Sequence, residues 1–75
     1  MTITGPQVKA ARALLGWSRE RLAGEADLHT RTILNFEGGK GRPMARIVSV
    51  IQLALEEAGV EFVEGESSVR LKAKP

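Results

Sequence analysis

The chain has no cysteine and a single histidine, His29. Disulfides and thiolate metal sites are therefore excluded, one imidazole cannot hold a metal alone, and the fold must rest on an apolar core. No apolar run approaches the roughly 20 residues that a bilayer-spanning helix needs, so no membrane partner is expected. The opening residues "MTITGPQ" carry neither a basic stretch nor an apolar one. No secretory signal is visible, and a cytoplasmic location is expected. Internal repeats and low-complexity tracts are also missing. At 75 residues the chain makes one small domain at most. A domain of that size buries only roughly 60% of the surface exposed when it unfolds, so its margin of stability is thin.

What charge there is lies unevenly. The net charge is +2, but residues 1–46 hold eight of the 11 bases and only four of the nine acids. The remainder is acidic on balance. Positive potential thus collects in the first two thirds of the chain, which suits a polyanionic partner. Glu56, Glu57, Glu61, Glu64 and Glu66 read as a solvated acidic surface.

Hydrophobic spacing predicts four helices. Thr4 can cap the first, with Gly5 and Pro6 in its opening turn, where proline needs no N–H. Val8, Ala11 and Leu15, joined by Leu14, give its inner face, and Gly16 stops it. Trp17 sits in the break and reads as core rather than as a base-stacking residue. Ser18 is the expected N-cap of a second helix, "SRERLAGEA", buried through Leu22, Ala23 and Ala26. Gly24 lies inside that helix at a cost of up to about 1 kcal/mol relative to alanine. After a very short connection anchored by Leu28, a third helix opens at His29 or Thr30, with Ile33 and Phe36 as core positions. Gly38 and Gly39 end it, one of them in the left-handed region. "KGRP" is a loop. A fourth helix follows Pro43, with an apolar stripe of Ile47, Val50, Ile51, Ala54, Leu55 and Ala58, and Gly59 as the expected C-cap. "VEFV" and "VRLK" then read as strands around the polar loop "EGESS", and the final "AKP" as a frayed end. The expected organisation is a helical domain over residues 1–59 and a hairpin extension over 60–75. A lone hairpin is marginal in water, so this one must pack on the helices or on another chain.

The third helix is short, polar at its start and firmly stopped. Two helices joined by a three- or four-residue turn, the second with a polar leading edge, match a helix-turn-helix. In that arrangement the second helix, here about residues 29–36, enters the major groove of duplex DNA. Its front consists of Thr30, Arg31, Leu34 and Asn35. Arg31 can grip guanine O6 and N7 with two hydrogen bonds, and Asn35 can do the same for adenine N6 and N7. Thr30 can reach a base edge, a thymine methyl or a phosphate, whereas Leu34 offers apolar contact only. Phosphate contacts are expected from Ser18 and Arg19 at the start of the second helix, from His29, and from Lys40 and Arg42 on the loop after the third.

The stretch "ARALLGWSRERLAGEADLHTRTILNFEGGKGRP" resembles the Cro/repressor-type helix-turn-helix family, also called the xenobiotic-response-element family. The likeness runs from about Ile3 to Ala58 and rests on "LLGWS", the "LA" of the second helix and the "TI…FE.GK..P" tail. It implies a mainly α, compact four- to five-helix bundle of the phage-repressor DNA-binding type, here followed by a short C-terminal β-hairpin. It also implies sequence-specific binding of double-stranded DNA by a bacterial, phage or plasmid regulator, usually dimeric. Arg19, Thr30, Arg31 and Asn35 fall where members contact DNA, with Leu34 as a further position. Arg12 and Glu37 match residues that form an internal ion pair in some members. The sequence departs from the pattern at Arg19, where glutamine is frequent, and at Asp27, where glycine is frequent. Aspartate tolerates the left-handed backbone such a turn requires.

The resulting expectation is a DNA-binding transcriptional regulator, a repressor, acting as a homodimer on a two-fold related site, with the hairpin contributing to the dimer. The other reading is an antitoxin-like or adaptor module that binds a protein partner and touches DNA weakly. No catalytic residue, cofactor or metal is expected, and so no enzyme. "EGGKGRP" lacks both the G-x-x-x-x-G-K spacing and the following hydroxyl residue of a phosphate-binding loop.

Overall fold

The computed structural model describes residues 3–63 and 69–72. The loop expected at "EGESS" and the end expected at "AKP" lie outside them, as do Glu64 and Glu66. The described residues form four helices and a two-stranded antiparallel sheet: α1 (Gly5–Leu15), α2 (Arg19–Ala26), α3 (Thr30–Glu37), α4 (Ala45–Glu57), β1 (Val60–Phe62) and β2 (Val69–Leu71). No helix among them is long and apolar enough to cross a membrane.

Local chemistry accounts for the boundaries. The Thr4 hydroxyl accepts from the Gln7 N–H at 3.3 Å, while the Gln7 side chain accepts from the Thr4 N–H at 2.9 Å. This reciprocal pair satisfies two donors at the start of α1. Gly16 ends α1 in the left-handed region, at φ 70°. Ser18 caps α2 by accepting from the Arg21 N–H at 3.0 Å. Of the two expected starts, α3 takes Thr30 and runs to Glu37, with His29 as a cap residue whose side chain caps nothing. α4 closes on Ala58, and Gly59 stands one position beyond it at φ 107°.

The core joins all six elements. Val8, Leu22, Ile33, Ile51, Leu55 and Val60 are fully buried, with Ile3, Ala11, Phe36 and Phe62 around them. Burying each large aliphatic side chain contributes about 1.5–3 kcal/mol. Leu14 is a correction: it is 43% exposed. Six residues beyond Val8 it has turned through 600°, which carries it off the face that Val8 and Ala11 share.

The hairpin packs on the helices. β1 lies against α4 and α1, and β2 against α1. Val60, Glu61 and Phe62 pair with Leu71, Arg70 and Val69 respectively. Val60 and Phe62 thereby close the open side of the helical core. A hydrogen bond from the Lys72 N–H to the Gly59 carbonyl, at 2.7 Å, ties the far end of β2 back to the start of β1.

Candidate nucleic-acid interface

α2 and α3 are linked by only three residues, Asp27 to His29. Asp27 takes the left-handed conformation, φ 56°, and is the only described non-glycine residue with positive φ. Its N–H and that of Leu28 close back on the carbonyls of α2, Leu28 onto Ala23 at 2.9 Å. The chain is thereby turned sharply, and Leu28 packs against the core from the bend.

That bend sets the face of α3. Ile33 and Phe36, three residues apart, are buried behind the helix at 0% and 7% exposure. Arg31 and Leu34 are exposed in front, and Thr30, Thr32 and Asn35 are half-buried along the flanks. The helix ends in a tight reversal. Gly39, at φ 71°, lets the Lys40 N–H reach the Asn35 carbonyl at 3.0 Å. The reversal folds the "KGRP" loop alongside α3, leaving a groove of about 230 Å³ that Thr32, Asn35, Lys40, Arg42 and Pro43 line. Arg31, Lys40 and Arg42 have no ion-pair partner among the described residues. An amide and two cations thus border one groove, and a third cation stands on the front of the same helix.

Behind this face lies an ion cluster. Glu37, its side chain 4% exposed, accepts two hydrogen bonds from Arg12: Nε to Oε2 at 2.5 Å and Nη2 to Oε1 at 2.9 Å. Arg12 Nη1 also donates to the Trp17 carbonyl at 3.0 Å. The hydrogen bond to Glu37 is the main influence raising the Arg12 pKa above its ordinary value, and burial opposes it. A fork-to-fork arrangement of this kind is among the stronger polar contacts. It joins α1 to the last residue of α3.

The sequence assigned Arg19 to phosphate, whereas here its Nε donates to Glu37 Oε1 at 3.2 Å. Its side chain remains 39% exposed. Two arginines around one carboxylate leave the cluster one positive charge in excess, on the side where α2 begins.

The remaining predicted residues distribute as follows. Ser18 and His29 are exposed at the starts of α2 and α3, and the Ser18 hydroxyl is engaged as a cap. Lys40 and Arg42 are exposed on the loop. Thr30, Arg31, Leu34 and Asn35 all lie on α3, and only Leu34 and Arg31 are fully forward. Two features were missed. Thr32 joins Asn35 in the groove wall, a position that its spacing from Asn35 could have suggested. The Arg21 guanidinium stacks over the Trp17 ring at 4.8 Å, a pairing at i, i+4 that is visible in the sequence.

No protein-family model matches the chain, and no curated protein matches it either.

Proposed function

We propose that the protein is a sequence-specific double-stranded-DNA-binding regulator, built as a phage-repressor-type bundle, that lays α3 in the major groove. The observation that carries this reading is the division of α3 into two faces. Ile33 and Phe36 are locked into the core while Arg31 stands exposed and Asn35 borders a groove flanked by Lys40 and Arg42. Arginine and asparagine are the side chains that read guanine and adenine bidentately. Lys40 and Arg42 on the neighbouring loop, without an ion-pair partner among the described residues, suit the flanking phosphates.

In this arrangement Arg31 and Asn35 read bases, Thr30 and Thr32 contact the groove wall or sugar-phosphate edge, and Lys40 and Arg42 set the register. Arg19, already oriented by Glu37, offers its outer nitrogens to a phosphate beside the start of α2. Repression follows if the bound site overlaps a promoter.

The test is selection of bound fragments from a random duplex library, followed by titration against salt. A recovered consensus and an affinity that falls steeply with salt are expected. Arg31→Ala should relax preference at one base pair, costing about 1–3 kcal/mol there, whereas Lys40→Ala should weaken all duplexes alike. Recovery of no consensus, with salt-insensitive binding, would remove the DNA reading and favour a protein-interaction module.

A further inference from the structure

Arg46, Val50, Leu53 and Glu57 follow one another along α4 at intervals of four, three and four residues. They share one face for three turns, about 16 Å. The face points away from the core: Leu53 is 57% exposed and Val50 half-buried, with Arg46 and Glu57 exposed at the two ends. Neither the Arg46 nor the Glu57 side chain has a hydrogen bond or ion pair among the described residues. Alongside the Arg46 end runs an open groove of about 440 Å³ between α4 and the bend after α2. Leu28, Ile47 and Val50 line it, and Met44, 69% exposed, stands at its edge.

The order of these four residues is symmetric. Read from either end, the face runs charge, apolar, apolar, charge, with the two charges opposite in sign and the centre between Ile51 and Gln52. We propose that this face is where two copies of the chain associate, α4 antiparallel to α4, about a two-fold axis through that centre. Val50 of each copy meets Leu53 of the other, and Arg46 of each faces Glu57 of the other. A two-fold interface must be complementary to itself, and this face is. Charge also selects the direction, because parallel pairing would set Arg46 over Arg46 and Glu57 over Glu57. The four-three-four spacing is that of a coiled-coil seam, which lets two helices approach at a shallow crossing angle. Leu53 of one copy then lies towards the groove lined by Leu28 and Ile47 of the other.

The hairpin is the rival surface, and its chemistry is less suitable. Antiparallel pairing of two copies of β2 centred on Arg70 would place two guanidinium groups side by side, which is unfavourable. The proposal for α4 does not depend on what α3 binds.

Sedimentation velocity of the full chain over a concentration series tests it, with circular dichroism confirming that each variant is folded. A reversible monomer–dimer equilibrium is expected, lost in Leu53→Glu and retained in Leu71→Glu. Arg46→Glu and Glu57→Arg, taken singly, should each weaken the dimer about tenfold or more, since each converts both end pairs to repulsion. The combined charge swap should restore it. That rescue decides the matter even if Leu53→Glu fails to fold, because a purely structural role would not be recovered by a second reversal. A wild-type chain that stays monomeric throughout, single reversals without effect, a double variant no better than the singles, or dissociation by Leu71→Glu would each overturn the proposal.

Discussion

Gly5 lies so close to Phe36 that a Cβ on the glycine would stand 2.6 Å from the Phe36 carbonyl oxygen, and as close to that of Glu37. The first turn of α1 thus rests directly on the last turn of α3, backbone against backbone. Glycine is needed here for space rather than for an unusual dihedral angle. Gly5→Ala should destabilise the fold by about 1–3 kcal/mol, because neither carbonyl can yield without moving a helix. Thermal unfolding should show a clear drop in midpoint.

Gly24 provides the opposite case. It is exposed inside α2, and a Cβ there would meet nothing within 4 Å. Gly24→Ala should stabilise by up to about 1 kcal/mol, through helix propensity and a more restricted unfolded chain. Chemical denaturation should move the midpoint upward with an unchanged slope.

The cluster around Glu37 separates stability from binding. Arg12→Ala leaves a carboxylate that is 4% exposed with only one partner, and should cost about 3 kcal/mol in urea unfolding. Arg19 is 39% exposed, and its pairing should be worth less than about 1 kcal/mol. If Arg19 contacts phosphate, Arg19→Ala should weaken duplex binding and flatten its salt dependence while the fold remains intact.

A pH effect belongs to the hairpin. Glu61 accepts a hydrogen bond from Arg70 across the strands, and this contact, reinforced by the positive charge of Arg70, holds its pKa below the ordinary 4.5. A carboxyl with a lowered folded-state pKa adds stability that is present above 4.5 and lost as pH falls through the folded value. The stability difference between the wild type and Glu61→Gln should therefore be seen at neutral pH and vanish in acid. With the Glu61 side chain 40% exposed and that of Arg70 68%, the difference should be small.

The helices were legible because their information is local. Leu22, Ala23 and Ala26, then Ile33 and Phe36, then Ile51 and Leu55 repeat at helical spacing, and Thr4, Ser18 and Gly16 mark helix ends by their own side-chain chemistry or lack of it. The capping role of Gln7 was equally local and could have been read from Thr4-x-x-Gln7. What escaped was set by distance along the chain. Nothing near Arg19 indicates a carboxylate 18 residues away. Nothing near Gly5 indicates the carbonyls of α3, which reach it only once the bundle has closed. Ile3 and Phe62 enter the core for the same reason, since each comes from a flank that has no helical repeat to place it.

α3 is fastened unequally. Its trailing residue Glu37 is bolted to two other helices, while His29 at its leading end offers no side-chain cap to the first N–H groups. Thr32 and Ile33 donate to the His29 carbonyl, which leaves the N–H groups of Thr30 and Arg31 as the donors that no side chain caps. Hydrogen exchange should grade along the helix, with the amides of Thr30 and Arg31 most labile and those near Phe36 the slowest. Opening of that first turn would leave the root of the helix, and the bundle behind it, in place.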